Sequence, residues 1–174
     1  MSSENFTGTV NILYIHSFLP IGGGGDESLF NLVKGLDRKR FNPLILATGW
    51  GPTVKKFEKI GVKVFFFKSP HKGRRNLLLF LLGYLKLAKF IKRGKIELVH
   101  LNHQGELIYT PLVCRLLQIP CVCHARSLLL TRKMGKRRRF LFNLADKIVA
   151  VSQAVKKALV QEGVRKEKIK VSYS

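Results

Sequence analysis

Acidic side chains are what this 174-residue chain has least of: 10 Asp and Glu stand against 32 Lys and Arg, a formal charge of +22. Such a field attracts polyanions, meaning nucleic acid, an anionic membrane surface or phosphate-bearing substrates, without choosing among them. Cysteine is scarce too. Cys114, Cys121 and Cys123 are odd in number, and Cys121-x-Cys123 has no second pair, so no zinc spacing is present. The opening MSSENFTGT is polar and lacks the basic start of a signal peptide, which leads us to expect a reduced, cytosolic setting. The sequon at Asn5-Phe6-Thr7 therefore reads as chance. Long apolar runs are missing as well: the most apolar stretch, Asn76–Arg93, is too short and too charged to span a bilayer. Also absent are a nucleophile elbow, a Ser/His/Asp signature, an internal repeat and a low-complexity linker.

What is present is a globular composition, 46% apolar and 24% charged, in a length that suits one domain with a real core. The charge is skewed: residues 1–71 carry a net +4 and residues 72–174 a net +18. Strand-like runs at Val10–His16, Pro43–Ala47, Val62–Phe67, Leu98–Leu101, Cys121–His124 and Lys147–Val151 alternate with helical patterns. The helical candidates are Glu27–Leu36, Val54–Ile60, Asn76–Ile91, Leu107–Leu117, Lys136–Ala145 and Ala154–Glu162. In the first, Leu29, Leu32, Val33 and Leu36 repeat as one buried face. Runs such as ILYI and VFFF are continuously apolar, as expected where both faces of a parallel sheet are covered. This alternation predicts an α/β fold, a doubly wound, mostly parallel sheet with helices on both faces. We expect a disordered tail over 1–9 and a single domain over 10–174.

Ligands of such sheets bind beyond the C-terminal strand ends. The first strand runs there into Gly22–Gly25, a glycine run followed by a helix, where backbone N–H groups and the helix N-terminus suit an anion. It is neither a dinucleotide fingerprint, because Glu27 stands where the third glycine would fall, nor a Walker A loop, because no Gly-Lys-Ser/Thr follows. A plain flexible turn remains the other reading, although four glycines in a row are costly to order. His16, Asn102, His103, His124 and Arg126 also fall at strand ends, and in the order 3-2-1-4-5-6 they would converge on one crevice. His124 reads either as a satisfied core histidine or as a site residue; His100, inside its strand, reads as structural. Two basic segments remain. Lys86, Lys89 and Arg93 form a stripe on an apolar helix, and Arg132, Lys133, Lys136, Arg137, Arg138 and Arg139 precede Phe140. Each is either an ordinary solvated or sheet-packed element or a membrane-surface element, where a basic residue contributes about 1 kcal/mol. Basic residues interleaved with aromatic platforms, the mark of nucleic-acid binding, are not evident.

Taken in order, these segments resemble the N-terminal, acceptor-binding half of a GT-B glycosyltransferase of the retaining family 4 group. ILYIHSFLP leading into GGGGDESLFNLVKGL is similar to the family's Gly-Gly-x-Glu helix start. ELVHLNHQ resembles its Asp-Val-x-His-x-His segment, with Asn102 in place of the second histidine. PCVCHARS matches the strand-five histidine, and ADKIVAVSQAVKKALVQEGVRKEKIKVSYS resembles the segment that closes the N-terminal domain. The resemblance runs from about Asn11 to the last residue.

It implies a Rossmann-like half of a two-domain enzyme. Gly23, Gly24 and Gly25 would approach the diphosphate of a nucleotide-sugar donor. His124 would be the catalytic residue near the reacting sugar, and His16, Asn102, His103 and Arg126 would meet the acceptor. No cofactor and no metal is expected. The C-terminal donor domain, with its paired-glutamate motif, is absent from these 174 residues, so a further domain or partner chain would supply the donor half. The expected function is acceptor binding in a hexosyl-type transferase acting on a lipid-linked or phosphate-bearing acceptor. The enzyme would be peripheral on the cytoplasmic, inner face of an anionic membrane. The competing expectation is a non-catalytic basic α/β module binding an anionic membrane surface or nucleic acid, with nucleic acid the disfavoured partner.

Overall fold

The computed structural model describes residues 8–18, 21–67, 77–108, 110–128, 131 and 134–173. The expected tail therefore lies outside the described residues, apart from 8 and 9, as do Arg132 and Lys133. The described residues form seven strands: β1 (Val10–Ser17), β2 (Phe41–Gly49), β3 (Lys63–Phe66), β4 (Leu98–Leu101), β5 (Cys121–Ala125), β6 (Lys147–Ala150) and β7 (Ile169–Val171). They make one sheet in the order β3-β2-β1-β4-β5-β6-β7, and every pairing is parallel. The helices are α1 (Gly24–Lys34), α2 (Thr53–Lys59), α3 (Leu77–Arg93), α4 (Thr110–Leu117), α5 (Lys136–Leu144) and α6 (Gln153–Gln161).

The continuously apolar β1 has the physical meaning expected of it. Successive side chains point to opposite faces, so Leu13 and Ile15 enter one core while Ile12 and Tyr14 enter the other. The first core takes Leu87 and Ile91 of α3, Val113 and Cys114 of α4, Leu141 and Phe142 of α5 and Val155 and Leu159 of α6. The second takes Leu29 and Val33 of α1 with Val54 and Phe57 of α2. Ser152 caps α6, its Oγ accepting from the Val155 N–H at 3.2 Å.

Four expectations are corrected. Helix α1 begins at Gly24, not Glu27, because Gly23 is the cap and its carbonyl already accepts from the N–H groups of Asp26 and Glu27. Leu32 lies on the outer side of α1 and is 40% exposed; Leu29 and Val33 make the buried face. The run Leu107–Leu117 divides into a 3₁₀ turn (Gln104–Ile108) and α4, since Pro111 fits only a first helical turn. The seventh strand was not anticipated.

Candidate functional site

The strand order brings β1, β4 and β5 side by side, so their C-terminal ends share one crest. Gly22 opens it with φ +75°, a conformation that only glycine adopts at no cost. Gly23 follows in extended backbone, and Gly24 and Gly25 begin the first turn of α1. A Cβ on Gly24 would meet no atom within 4 Å, and one on Gly25 would make only ordinary contact with His16 Cε1 (3.8 Å) and Arg126 Cδ (4.0 Å). The protein's own packing therefore does not demand glycine at either position. Their bareness leaves the helix N-terminus open to an approaching group.

Behind this opening, side chains from four segments are joined by hydrogen bonds. His16 Nε2 donates to Asp26 Oδ1 at 2.6 Å, and both side chains are buried. Asn102 Nδ2 donates to His16 Nδ1 (3.2 Å) and to the Gly25 carbonyl (3.0 Å). Arg126 donates from Nε to the Asn102 carbonyl (2.9 Å), and from Nη2 to Asn102 Oδ1 (2.9 Å) and His124 Nδ1 (3.1 Å). Gln104 shapes the backbone after β5: its Oε1 accepts from the N–H groups of Arg126 and Ser127, and its Nε2 donates to the Ser127 carbonyl. Among the described residues, Asp26 Oδ2 and His124 Nε2 are buried polar atoms without a partner.

The electrostatics keep the histidines neutral. Burial, then the Arg126 charge and the neighbouring His100, push the His124 pKa down to about 3. Burial and Arg126 push His100 down to about 4; its ring lies 5.1 Å from that of Tyr14 and 5.6 Å from that of His124. Burial also lowers His16, against the opposing pull of Asp26. The Arg126 guanidinium, itself half-buried, is lowered by desolvation.

Five residues expected at the site from sequence, His16, Gly25, Asn102, His124 and Arg126, are thus bound into one network. His103 stands beside it: its Nδ1 accepts from the Gly105 N–H, and burial lowers its pKa against the pull of Glu106. Asp26, Gln104 and Glu106 were missed. Asp26 could have been found, because it extends the buried Leu29–Val33 face of α1 at helical spacing, where a carboxylate needs a partner. Glu106 is buried and accepts from Thr48 Oγ1 at 3.3 Å. Among the described residues, no group of three or more His, Cys, Asp or Glu could hold a metal ion.

A seven-stranded parallel sheet in this order, with helices on both faces, is a Rossmann-like half of the GT-B architecture. The sequence model of Glycosyltransferase Family 4 matches residues 22–174, and the chain belongs to that family. Among solved structures, it is similar to Anabaena Alr3699/HepE in complex with UDP-glucose (22% identity, TM-score 0.72, 94% of this chain and 43% of that one). It is also similar to a glycosyltransferase from Rickettsia africae (20% identity, TM-score 0.72, 95% and 43%). A UDP-N-acetylglucosamine 2-epimerase shares the fold as well (15% identity, TM-score 0.67, 94% and 48%). The chain spans less than half the length of each of these proteins. No curated protein matches the sequence.

Proposed function

We propose that this chain is the acceptor-side half of a retaining, hexosyl-type glycosyltransferase that uses a nucleotide-sugar and a lipid-linked or other membrane-associated acceptor. The observation that carries this reading is the crest itself, where the bare first turn of α1 and the unpartnered Nε2 of His124 are tied together through Asn102 and Arg126. First-turn amides suit the charge that builds on a leaving diphosphate, and a neutral imidazole N–H suits a sugar hydroxyl. HepE, with the same fold, is seen with UDP-glucose. The donor half is assigned to a further domain or partner chain, so the 174 residues alone are expected to turn over very little. Neither metal nor cofactor is required, and EDTA should leave nucleotide-sugar binding unchanged.

The direct test is an amide NMR titration with UDP-, GDP- and ADP-sugars at millimolar concentration. We expect the Gly24 and Gly25 signals to move with at least one of them; silence from all three would overturn the reading. Gly24→Ala separates function from folding. It should raise stability by about 0.4–1 kcal/mol, because the unfolded chain loses freedom, yet weaken nucleotide-sugar binding by filling the opening. Equal or tighter binding would count against a diphosphate at this turn.

The membrane part rests on α3–α5, three helices packed side by side. Leu81, Leu82 and Leu85 of α3, Leu116 of α4 and Phe140 of α5 are exposed. Exposed Lys86, Lys89 and Arg93 share α3 with these leucines, and exposed Lys136, Arg137 and Arg139 share α5 with Phe140; Arg138 there is only partly exposed. Among the described residues no helix is long and apolar enough to cross a membrane, so this face would lie on an anionic leaflet at the inner side of the membrane. Neutralising Lys86, Lys89 and Arg93 together should weaken sedimentation with anionic vesicles on the order of a hundredfold, at about 1 kcal/mol per charge. Binding that ignores lipid charge would sink the membrane part. Salt-sensitive binding to RNA without vesicle binding would favour the non-catalytic basic module.

A further inference from the structure

The hydrogen bonds at the crest allow one consistent placement of protons. A guanidinium has donors only, so the nitrogen facing Arg126 Nη2 at 3.1 Å, His124 Nδ1, must carry a lone pair. The same reasoning orients Asn102. Its Oδ1 faces Arg126, so its Nδ2 faces His16 Nδ1 and the Gly25 carbonyl. His16 Nδ1 therefore accepts, and its Nε2 holds the proton shared with the Asp26 carboxylate. Every member fixes the next, from Asp26 in α1 to His124 at the end of β5.

We infer that Arg126 is a positioning residue for His124. Its guanidinium holds the imidazole as the neutral Nε2–H tautomer, which leaves that N–H at the crest as a buried hydrogen-bond donor without a partner among the described residues. His124 then acts on an incoming hydroxyl by donating, and neither as a general base, since Nε2 is already protonated, nor as a cation. Burial, the charge of Arg126 on its own strand end and the ring of His100 on β4 all disfavour a second proton, in agreement with this geometry. The buried Nε2 atom has no partner among the described residues, as a donor kept for a ligand requires. Asn102 serves Arg126 as Arg126 serves His124: the backbone carbonyl at 102 accepts from Nε, and the Asn102 Oδ1 anchors Nη2, the nitrogen that meets His124. The inference rests on the glycosyl-transfer reading only for the identity of the hydroxyl.

The experiment is long-range ¹H–¹⁵N NMR of the chain carrying labelled histidine, from pH 8 to pH 5. For His124 we expect a protonated Nε2 and an unprotonated Nδ1 throughout, with no doubly protonated ring. In Arg126→Leu the two tautomers should interconvert and the titration should rise by one pH unit or more. Asn102→Ala, which keeps the arginine and its Nε bond to the backbone carbonyl but removes the Oδ1 anchor of Nη2, should give mixed tautomers too. Folding of each variant is checked in its amide spectrum, and if neither folds, the wild-type tautomer decides alone. An Nδ1–H tautomer, a charged ring at neutral pH or an unchanged tautomer in folded Arg126→Leu would overturn the inference. UDP-glucose added to the same wild-type sample keeps the two questions apart: a silent titration with the Nε2–H tautomer in place counts against this nucleotide-sugar and leaves the proton placement standing.

Discussion

Asp26→Ala is expected to destabilise the chain by about 1.5–3 kcal/mol, the range for losing a hydrogen bond to a charged group. That should appear as a fall in Tm of about 3–12 °C for a chain of this size. The reason lies in what remains. His16 Nε2–H would be left buried with no acceptor, and turning the ring to seek one would break its Nδ1 bond to Asn102. Disturbance should then pass through Asn102 to Arg126, and so to the Gly25 carbonyl and His124. A double-mutant cycle with His16→Ala checks this. The double variant should be less destabilised than the sum of the singles, with a coupling of about 0.5–3 kcal/mol. Strict additivity would show that the pair contributes nothing as a pair.

The second large effect is sensitivity to mild acid. His100 and His124 remain neutral in the fold down to about pH 4 and about pH 3, whereas in the unfolded chain each titrates near 6.5. A depressed folded pKa means that the unfolded state binds more protons in the window between the two values. The stability from these groups is thus fully present above about pH 6.5 and is lost as pH falls toward 4. At about 1.4 kcal/mol per unit and per group, the loss by pH 4 is on the order of several kcal/mol, a large part of a typical domain's stability. Urea unfolding at pH 7.5, 6 and 5 should show the slope. His100→Gln, which cannot titrate, should remove one proton's share of it. The same slope in both proteins would refute the assignment to His100.

The sequence revealed the frame of this site better than its wiring. The strand ends at Ser17, Leu101 and Ala125 could be read to within one residue, at His16, Leu101 and His124, because the apolar runs stop there. The parallel order then follows from β-α alternation and places those ends together. What could not be read was pairing across long sequence distance. Asn102 is an ordinary polar residue after a strand until β1 and β4 lie adjacent, when it meets His16, 86 residues earlier. Strand β7 went unseen for a local reason: with three residues it is too short for alternation to register, and it is recognisable only by its pairing with β6. The glycine run was over-read as a loop, since nothing in four consecutive glycines marks where the helix starts.

The central place of β1 also has a consequence in time. As the chain is synthesised, β1, β2 and β3 can pair from the first 66 residues, but the other edge of β1 must wait for Leu98–Leu101. Such non-local closure belongs to the slower classes of folding. Asn102 follows that edge directly and clasps His16 and Gly25 on one side to Arg126 on the other. The crest is therefore completed only when both wings of the sheet have docked, and a half-folded chain carries a bare glycine turn with nothing behind it. The hydrogen bonds of Asn102 to His16 and Arg126 are thus a signature of the last docking step.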